Sequence, residues 1–311
     1  MKVVVPAALR SWIEPELPDG VTALWWSDLE DAARLIPDAD VAWLDLLSIR
    51  QIGPAVAKGV RLKWLSTMAA GVESLDLAML RERGTILTNG SGLNAAAVAD
   101  YAVLGVLAAA KRYDTVVRMA DRHQWAVDAP GRLELEGSRA LILGMGTIGA
   151  AIGKRLAAFD VEVTGVTRSG RDGTIGPGAW RRRLGDFDWI VIAAPATGET
   201  QALIGAAELA AMKPTAWLVN IARGDLIDKA ALVAALKAGT IGGAFLDTVS
   251  PEPLPPDDPL WDAPNCLHSM HLSGRSQTSM MRRAAALFVD NLAAYCAGRP
   301  MRNLVDLRAG Y

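Results

Sequence analysis

Apolar residues along this chain gather in short runs bounded by turn residues, and between the runs they recur every three or four positions among polar ones. Short β-branched runs thus alternate with helical periodicity through most of the sequence. The expected strands are Lys2–Val5, Val41–Leu44, Leu62–Ser66, Thr85–Leu87, Arg139–Leu143, Glu162–Val166, Trp189–Ile192, Trp217–Asn220 and Gly243–Leu246. This alternation predicts an α/β protein whose parallel sheets carry helices on both faces. Two helical stretches are long, Leu93 to about Met119 and Thr278 to about Ala297. They flank everything between them, so the chain is expected to leave a first domain, build a second and return, crossing near Gly92 and Gly274. The expected domains are residues 1–92 with 274–311, and residues 93–273, with a ligand cleft between them. The proline-rich piece from Pro251 to Pro256 reads as a stiff loop.

Composition narrows the class. With 311 residues the chain exceeds one ordinary core, which agrees with two domains. It is 51% hydrophobic and carries 32 basic against 34 acidic residues, which excludes disorder and a basic nucleic-acid binder. Cys266 and Cys296 stand apart from any metal-ligand spacing and read as reduced thiols of a cytoplasmic protein. The segment Met1–Leu9 reads as a first strand rather than a signal peptide, and Asp100 interrupts the most membrane-like stretch, Ala95 to Ala110. No membrane or nucleic-acid partner is expected.

The segment Gly144-Met145-Gly146-Thr147-Ile148-Gly149 follows an apolar strand and opens an alanine-rich helix. Gly144 allows the tight turn, Gly146 lets a diphosphate approach the backbone, and Gly149 lets helix and strand pack closely. The first helical residues, Thr147 and Ile148, then offer N–H groups to the diphosphate at the positive end of the helix dipole. The next strand lacks the acid that would hold a ribose 2′-hydroxyl; it ends instead in Thr167-Arg168-Ser169-Gly170-Arg171. A guanidinium pairs with a 2′-phosphate where a carboxylate would repel it, so NADP(H) is the expected cofactor, with NAD(H) possible. Arg181-Arg182-Arg183 reads as an exposed face.

Only three histidines can move a proton near neutral pH: His123, His268 and His271. His123 lies in a polar stretch, whereas the other two follow the last expected strand. Arg223, after the strand Trp217–Asn220, stands where open parallel sheets bind ligands and can fork onto a carboxylate. Glu252 is held between two prolines. Taken singly, each has an ordinary structural explanation: a surface ion pair for Arg223, a solvated acid for Glu252, a core position for His271.

The order of motifs, Asn220-x-Ala222-Arg223-Gly224, then Leu246-Asp247 with Glu252-Pro253, then a histidine about twenty residues on, all after the glycine-rich turn, resembles the D-isomer-specific 2-hydroxyacid dehydrogenase family. Ala70-Gly71-Val72-Glu73-Ser74-Leu75-Asp76, Gly92-Leu93-Asn94, Val98-Ala99-Asp100, Met212-Lys213-Pro214 and Asp258-Pro259-Leu260-Trp261 resemble its segments too. The resemblance implies a Rossmann-type cofactor domain inserted into a flavodoxin-like substrate domain, both doubly wound parallel sheets. It implies that Arg223, Glu252 and His271 form the catalytic group, with His268 a bystander. Arg223 would bind the substrate carboxylate and polarise the 2-oxo group, His271 would protonate the nascent alkoxide, and Glu252 would orient the imidazole. Opposite charges about 4 Å apart attract by roughly 4 kcal/mol at an effective dielectric near 20, before desolvation. By the same likeness the N–H groups of Ala70, Gly71 and Val72 would hold the substrate carboxylate, Asp247 would meet the nicotinamide carboxamide, and Pro195 and Ile221 would line the cofactor channel.

Two departures stand out: Met270 occupies a position that is usually proline in the family, so the loop carrying His271 would be less rigid, and the second is the NADP-like Arg168. A third observation narrows the chemistry: phosphite-oxidising relatives have a lysine where this chain has Ala70, which argues against phosphite. The expected activity is NADPH-dependent reduction of a 2-oxo acid of the glyoxylate and hydroxypyruvate class to the D-2-hydroxy acid. Trp12, Trp25, Trp26 and Trp43 leave room for a larger substrate if they line a pocket. The alternative is a dinucleotide-sensing protein similar to corepressors of this fold, against which the lack of long flanking tails speaks. The apolar circumference of the helix from Leu93 suits a homodimer.

Overall fold

The protein is described here by a computed structural model covering residues 1–46, 49–170, 173–275 and 277–310. It divides into two compact units, Met1–Leu93 with Gln277–Tyr311, and Asn94–Ser276.

In the first unit five parallel strands, β1 (Lys2–Pro6), β2 (Thr22–Trp26), β3 (Val41–Trp43), β4 (Trp64–Ser66) and β5 (Ile86–Thr88), lie in the order β2-β1-β3-β4-β5, the flavodoxin-like arrangement. Successive side chains alternate between faces. Val4, Ala42, Leu44, Leu65 and Leu87 pack beneath α1 to α3 of one layer, here α1 (Leu29–Leu35), α2 (Gly53–Lys58) and α3 (Leu77–Glu82). Val3, Val5, Val41, Trp43 and Trp64 face the closing helix Met280–Cys296 through Phe288 and Leu292. Asp28 and Asp76 cap α1 and α3 by accepting from the N–H groups of Asp31 and Met79. Trp26 and Trp43 are core side chains rather than pocket walls, with their indole N–H groups donating to the carbonyls of Trp43 (2.8 Å) and Asp45 (2.7 Å).

The second unit holds six parallel strands, β6 (Arg139–Leu143), β7 (Glu162–Val166), β8 (Trp189–Ile192), β9 (Trp217–Asn220), β10 (Gly243–Leu246) and β11 (Cys266–His268), in the order β11-β10-β9-β8-β6-β7. Chain direction across the sheet reverses at β6, which has β7 on one side and β8 on the other, and such a switch point opens a crevice at the strands' carboxyl ends. Ala140, Ile142, Val191, Val219 and Phe245 pack against α4 (Ala95–Lys111) and α6 (Thr147–Ala157). The alternate residues Leu141, Leu143, Ile190, Ile192, Leu218 and Leu246 pack on the other side, with α7 (Ala206–Ala211) and α8 (Lys229–Ala238).

The expected helix from Leu93 to Met119 is two helices, α4 and α5 (Tyr113–Asp121), separated at Arg112 in left-handed conformation (φ 48°). Gly131 causes crowding there: a Cβ on it would lie 2.2 Å from the Lys111 carbonyl carbon, so the returning chain occupies the space a continuous helix needs. Two strands escape the sequence pattern, β2 and β11. His268 therefore lies within a strand rather than after the last one. Cys266 on β11 is largely buried, and burial pushes its thiol up to about 12. The two ends of the second unit approach each other: a Cβ on Gly274 would lie 3.2 Å from Asn94 Nδ2. Among the described residues no helix is long and apolar enough to cross a membrane.

Candidate active site

The turn after β6 is built by its glycines. Gly144 takes φ 103°, and a Cβ there would lie 2.7 Å from the Ala193 carbonyl oxygen at the end of β8. A Cβ on Gly149 would lie 1.9 Å from the Gly144 carbonyl oxygen, whereas one on Gly146 would meet nothing within 4 Å. Open space above Gly146 adjoins the start of α6, where no side chain caps the N–H groups of Thr147 and Ile148. Backbone donors in an open cradle suit a dinucleotide diphosphate, so the residues present fit such a cofactor.

At the end of β7, the Thr167 hydroxyl accepts from the Gly170 N–H (3.0 Å) and lies 2.7 Å from the Thr174 hydroxyl and 3.4 Å from that of Ser169. Arg168 is exposed and lies 3.7 Å from the Glu199 carboxylate. Arg171 falls outside the described residues. Pro195, exposed beyond β8, accepts at its carbonyl from the Thr200 hydroxyl (2.8 Å), and Ile221 is buried just past β9.

Arg223 owes its position to Asn220, a wholly buried side chain whose Nδ2 donates to the Arg223 carbonyl (2.9 Å) while its Oδ1 accepts from the Ala222 N–H (3.1 Å). The turn then presses on the loop after β10, because a Cβ on Gly224 would lie 2.0 Å from the Val249 carbonyl carbon. That loop carries Glu252, whose Oε1 accepts from the Val249 N–H (3.2 Å) and whose Oε2 lies 2.7 Å from His271 Nδ1. With Nδ1 turned to the carboxylate, Nε2 is the nitrogen left to reach a ligand. Burial pushes the Glu252 carboxyl up, but His271, the Val249 N–H and the Arg223 charge together outweigh it and hold the group below the usual range. Glu252 and His271 are thus hydrogen-bonded, and Arg223 joins them through its field.

The loop from Ser269 to Ser273 is anchored on Asp247. The buried Asp247 carboxylate accepts from the Ser269 hydroxyl (2.7 Å), the Ser273 N–H (3.2 Å) and the Ser273 hydroxyl, and its carbonyl accepts from the His271 N–H (2.6 Å). Both Met270 (φ 53°) and His271 (φ 54°) adopt the left-handed region, a conformation that non-glycine residues keep only when their surroundings impose it. Asn220, Ser269 and Ser273 were not identified as site residues from the sequence; hydroxyls two positions either side of a candidate histidine were the available signal.

His268 is elsewhere occupied. Its Nε2 lies 3.1 Å from the Leu260 carbonyl and its ring 5.0 Å from that of Trp261. Burial lowers its pKa, against the pull of the Leu260 carbonyl and Asp258, so it favours the neutral form. His123 is exposed beyond α5. In the first unit the N–H groups of Ala70, Gly71 and Val72 donate to no described residue. No cluster of three or more His, Cys, Asp or Glu able to hold a metal occurs among the described residues.

The family described as D-isomer specific 2-hydroxyacid dehydrogenase, NAD binding domain, matches residues 103–273. A glyoxylate reductase of Thermofilum pendens is 33% identical over 294 residues, covering 91% of this chain and 86% of the relative. Among solved structures, a D-isomer specific 2-hydroxyacid dehydrogenase family protein from Aeromonas salmonicida superposes with a TM-score of 0.87 at 29% identity, over 98% of this chain and 99% of the other. An NADPH-dependent glyoxylate/hydroxypyruvate reductase from Sinorhizobium meliloti, solved with citrate, gives 0.80 at 26% identity over 98% of each.

Proposed function

The chain belongs to the D-isomer-specific 2-hydroxyacid dehydrogenase family, and from that premise we propose that it reduces a 2-oxo acid of the glyoxylate and hydroxypyruvate class to the D-2-hydroxy acid with NADPH. The observation that carries this reading is the 2.7 Å contact between His271 and Glu252 beside the Arg223 turn. A bound nicotinamide supplies hydride to the 2-oxo carbon. Arg223 grips the carboxylate and draws electron density toward the carbonyl oxygen, and His271 delivers a proton from Nε2 to that oxygen. Glu252 fixes the orientation of the imidazole through Nδ1. The N–H groups of Ala70, Gly71 and Val72, being without an acceptor in the described protein, are suited to hold the substrate carboxylate as an anion-binding nest.

Absorbance at the nicotinamide band tests the reading: adding glyoxylate or hydroxypyruvate consumes NADPH steadily. His271→Asn abolishes turnover while leaving NADPH binding intact, and His268→Asn leaves both. Tight dinucleotide binding without turnover of any 2-oxo acid would favour a sensor instead. The preference for NADPH rests on Thr167, Arg168 and Ser169, which follow β7 in place of an acid. The ion pair of Arg168 with Glu199 is exposed, and such pairs are worth about 0–1 kcal/mol. Arg168→Ala therefore weakens NADPH binding by at least about tenfold and NADH binding far less; equal losses would remove the argument for the phosphate.

A further inference from the structure

Asp45 is a buried carboxylate that takes no part in the chemistry above. It follows β3 and is 2% exposed. Its oxygens accept from the Thr67 hydroxyl (2.6 Å) and lie 3.2 Å from the Met68 nitrogen and 3.3 Å from that of Ala69. All three donors belong to the turn that follows β4. The opposite side of that turn is held from beyond β5: the Ala69 carbonyl accepts from the Gly90 N–H (2.8 Å), and the Ala70 carbonyl accepts from Asn89 Nδ2 (2.8 Å). Gly90 comes so near that a Cβ on it would lie 1.9 Å from the Met68 carbonyl oxygen. Strand β4 lies between β3 and β5, so the turn at its end is clamped from both neighbours, its donors by Asp45 and its carbonyls by Asn89 and Gly90. Immediately after this clamp come the unaccepted N–H groups of Ala70, Gly71 and Val72.

We propose that Asp45 is a positioning residue for substrate recognition: by collecting the donors of residues 67–69 it sets the direction of the next three N–H groups, and so tunes affinity for the carboxylate of the 2-oxo acid. This rests on the reading that residues 70–72 bind that carboxylate. The choice of carboxylate matters chemically, because Oδ2 alone faces all three donors and Oδ1 lies 3.3 Å from the Met68 nitrogen as well, so neither position tolerates a donor. An asparagine of the same size presents two N–H donors on one side and would push part of the turn away. Burial pushes the Asp45 carboxyl above its ordinary value against the pull of Thr67, Ala69 and Met68. A buried acid kept at that cost marks a structural demand of the turn.

The test uses the full-length protein with saturating NADPH. Steady-state turnover of glyoxylate and titration with oxamate, a non-reacting carboxylate analogue, are measured for Asp45→Asn, Thr67→Val and Gly71→Pro, the last of which deletes one of the three N–H groups. Expected for Asp45→Asn is a rise of about tenfold or more in KM and in the oxamate Kd, with kcat and NADPH affinity changed by less than about threefold; Thr67→Val gives the same split to a smaller degree. A fall in Tm with KM and oxamate affinity unchanged in both variants, while Gly71→Pro weakens both, overturns the role of Asp45 and leaves the reading of residues 70–72 standing. Unchanged affinity in all three overturns that reading itself.

Discussion

Glu252 shows how one residue answers to two environments. Its burial alone would favour the neutral acid, yet the histidine, the Val249 N–H and the arginine field reverse the balance. A carboxyl held low in the folded state stabilises the fold above its unfolded range, near pH 4.3, and loses that contribution as pH falls through the folded value. Thermal melts of wild type and Glu252→Gln between pH 7 and pH 3 therefore show a Tm gap that is widest near neutrality and narrows on the acid side. A gap independent of pH would mean that the charge of Glu252 contributes nothing. At this scale the sequence pointed to Glu252 and His271 through the order of motifs that resembles the family, and the structure brings those two side chains into contact. Asn220 and Asp45 were not legible there, since their work is to hold backbone, and an amide or acid beside a strand looks the same in sequence whether it is buried or solvated.

Among the elements, the loop from Ser269 to Ser273 has the most to lose. Met270, at φ 53°, holds a backbone conformation that proline cannot adopt, and three hydrogen bonds to the buried Asp247 carboxylate fix the loop around it. Hydrogen bonds to a charged group are worth roughly 1.5–3 kcal/mol each, and leaving the carboxylate short of donors adds to the loss. A double Ser269→Ala, Ser273→Ala variant is expected to lower kcat by about ten- to a hundredfold while NADPH affinity stays within about twofold; equal damage to both would show that the loop serves cofactor binding. Strands were legible in sequence where a continuous apolar run marked burial on both faces, as in Leu141, Ile142 and Leu143. β2 lies at a sheet edge and is only partly buried up to Trp26, and β11, Cys266-Leu267-His268, is partly buried throughout and is not a continuous apolar run. The break at Arg112 depends on Gly131, nineteen positions away, which no local reading detects.

For the whole molecule, packing of α4 within its own unit accounts for most of the apolar circumference that suggested a dimer, leaving Leu104 exposed. Exposed apolar side chains follow instead on and after α5: Tyr113, Val117, Trp125 (93%), Val127 (96%) and Leu133. That much apolar surface in one segment suits an interface, and we propose a second copy of the chain as its occupant. Trp125→Glu with Val127→Glu is expected to shift a dimer to monomer in sedimentation velocity at micromolar concentration; an unchanged sedimentation coefficient would move the interface elsewhere. The close approach of Gly274 to Asn94 bears on how the molecule can be engineered. Since the inserted portion begins and ends at neighbouring points, it forms a cassette: a foreign dinucleotide-binding segment with the same spacing between its ends can be grafted in its place without stretching the host chain. Such a graft brings its own counterparts of Arg223, Glu252 and His271 together with its cofactor turn, while the turn at residues 70–72 stays with the host.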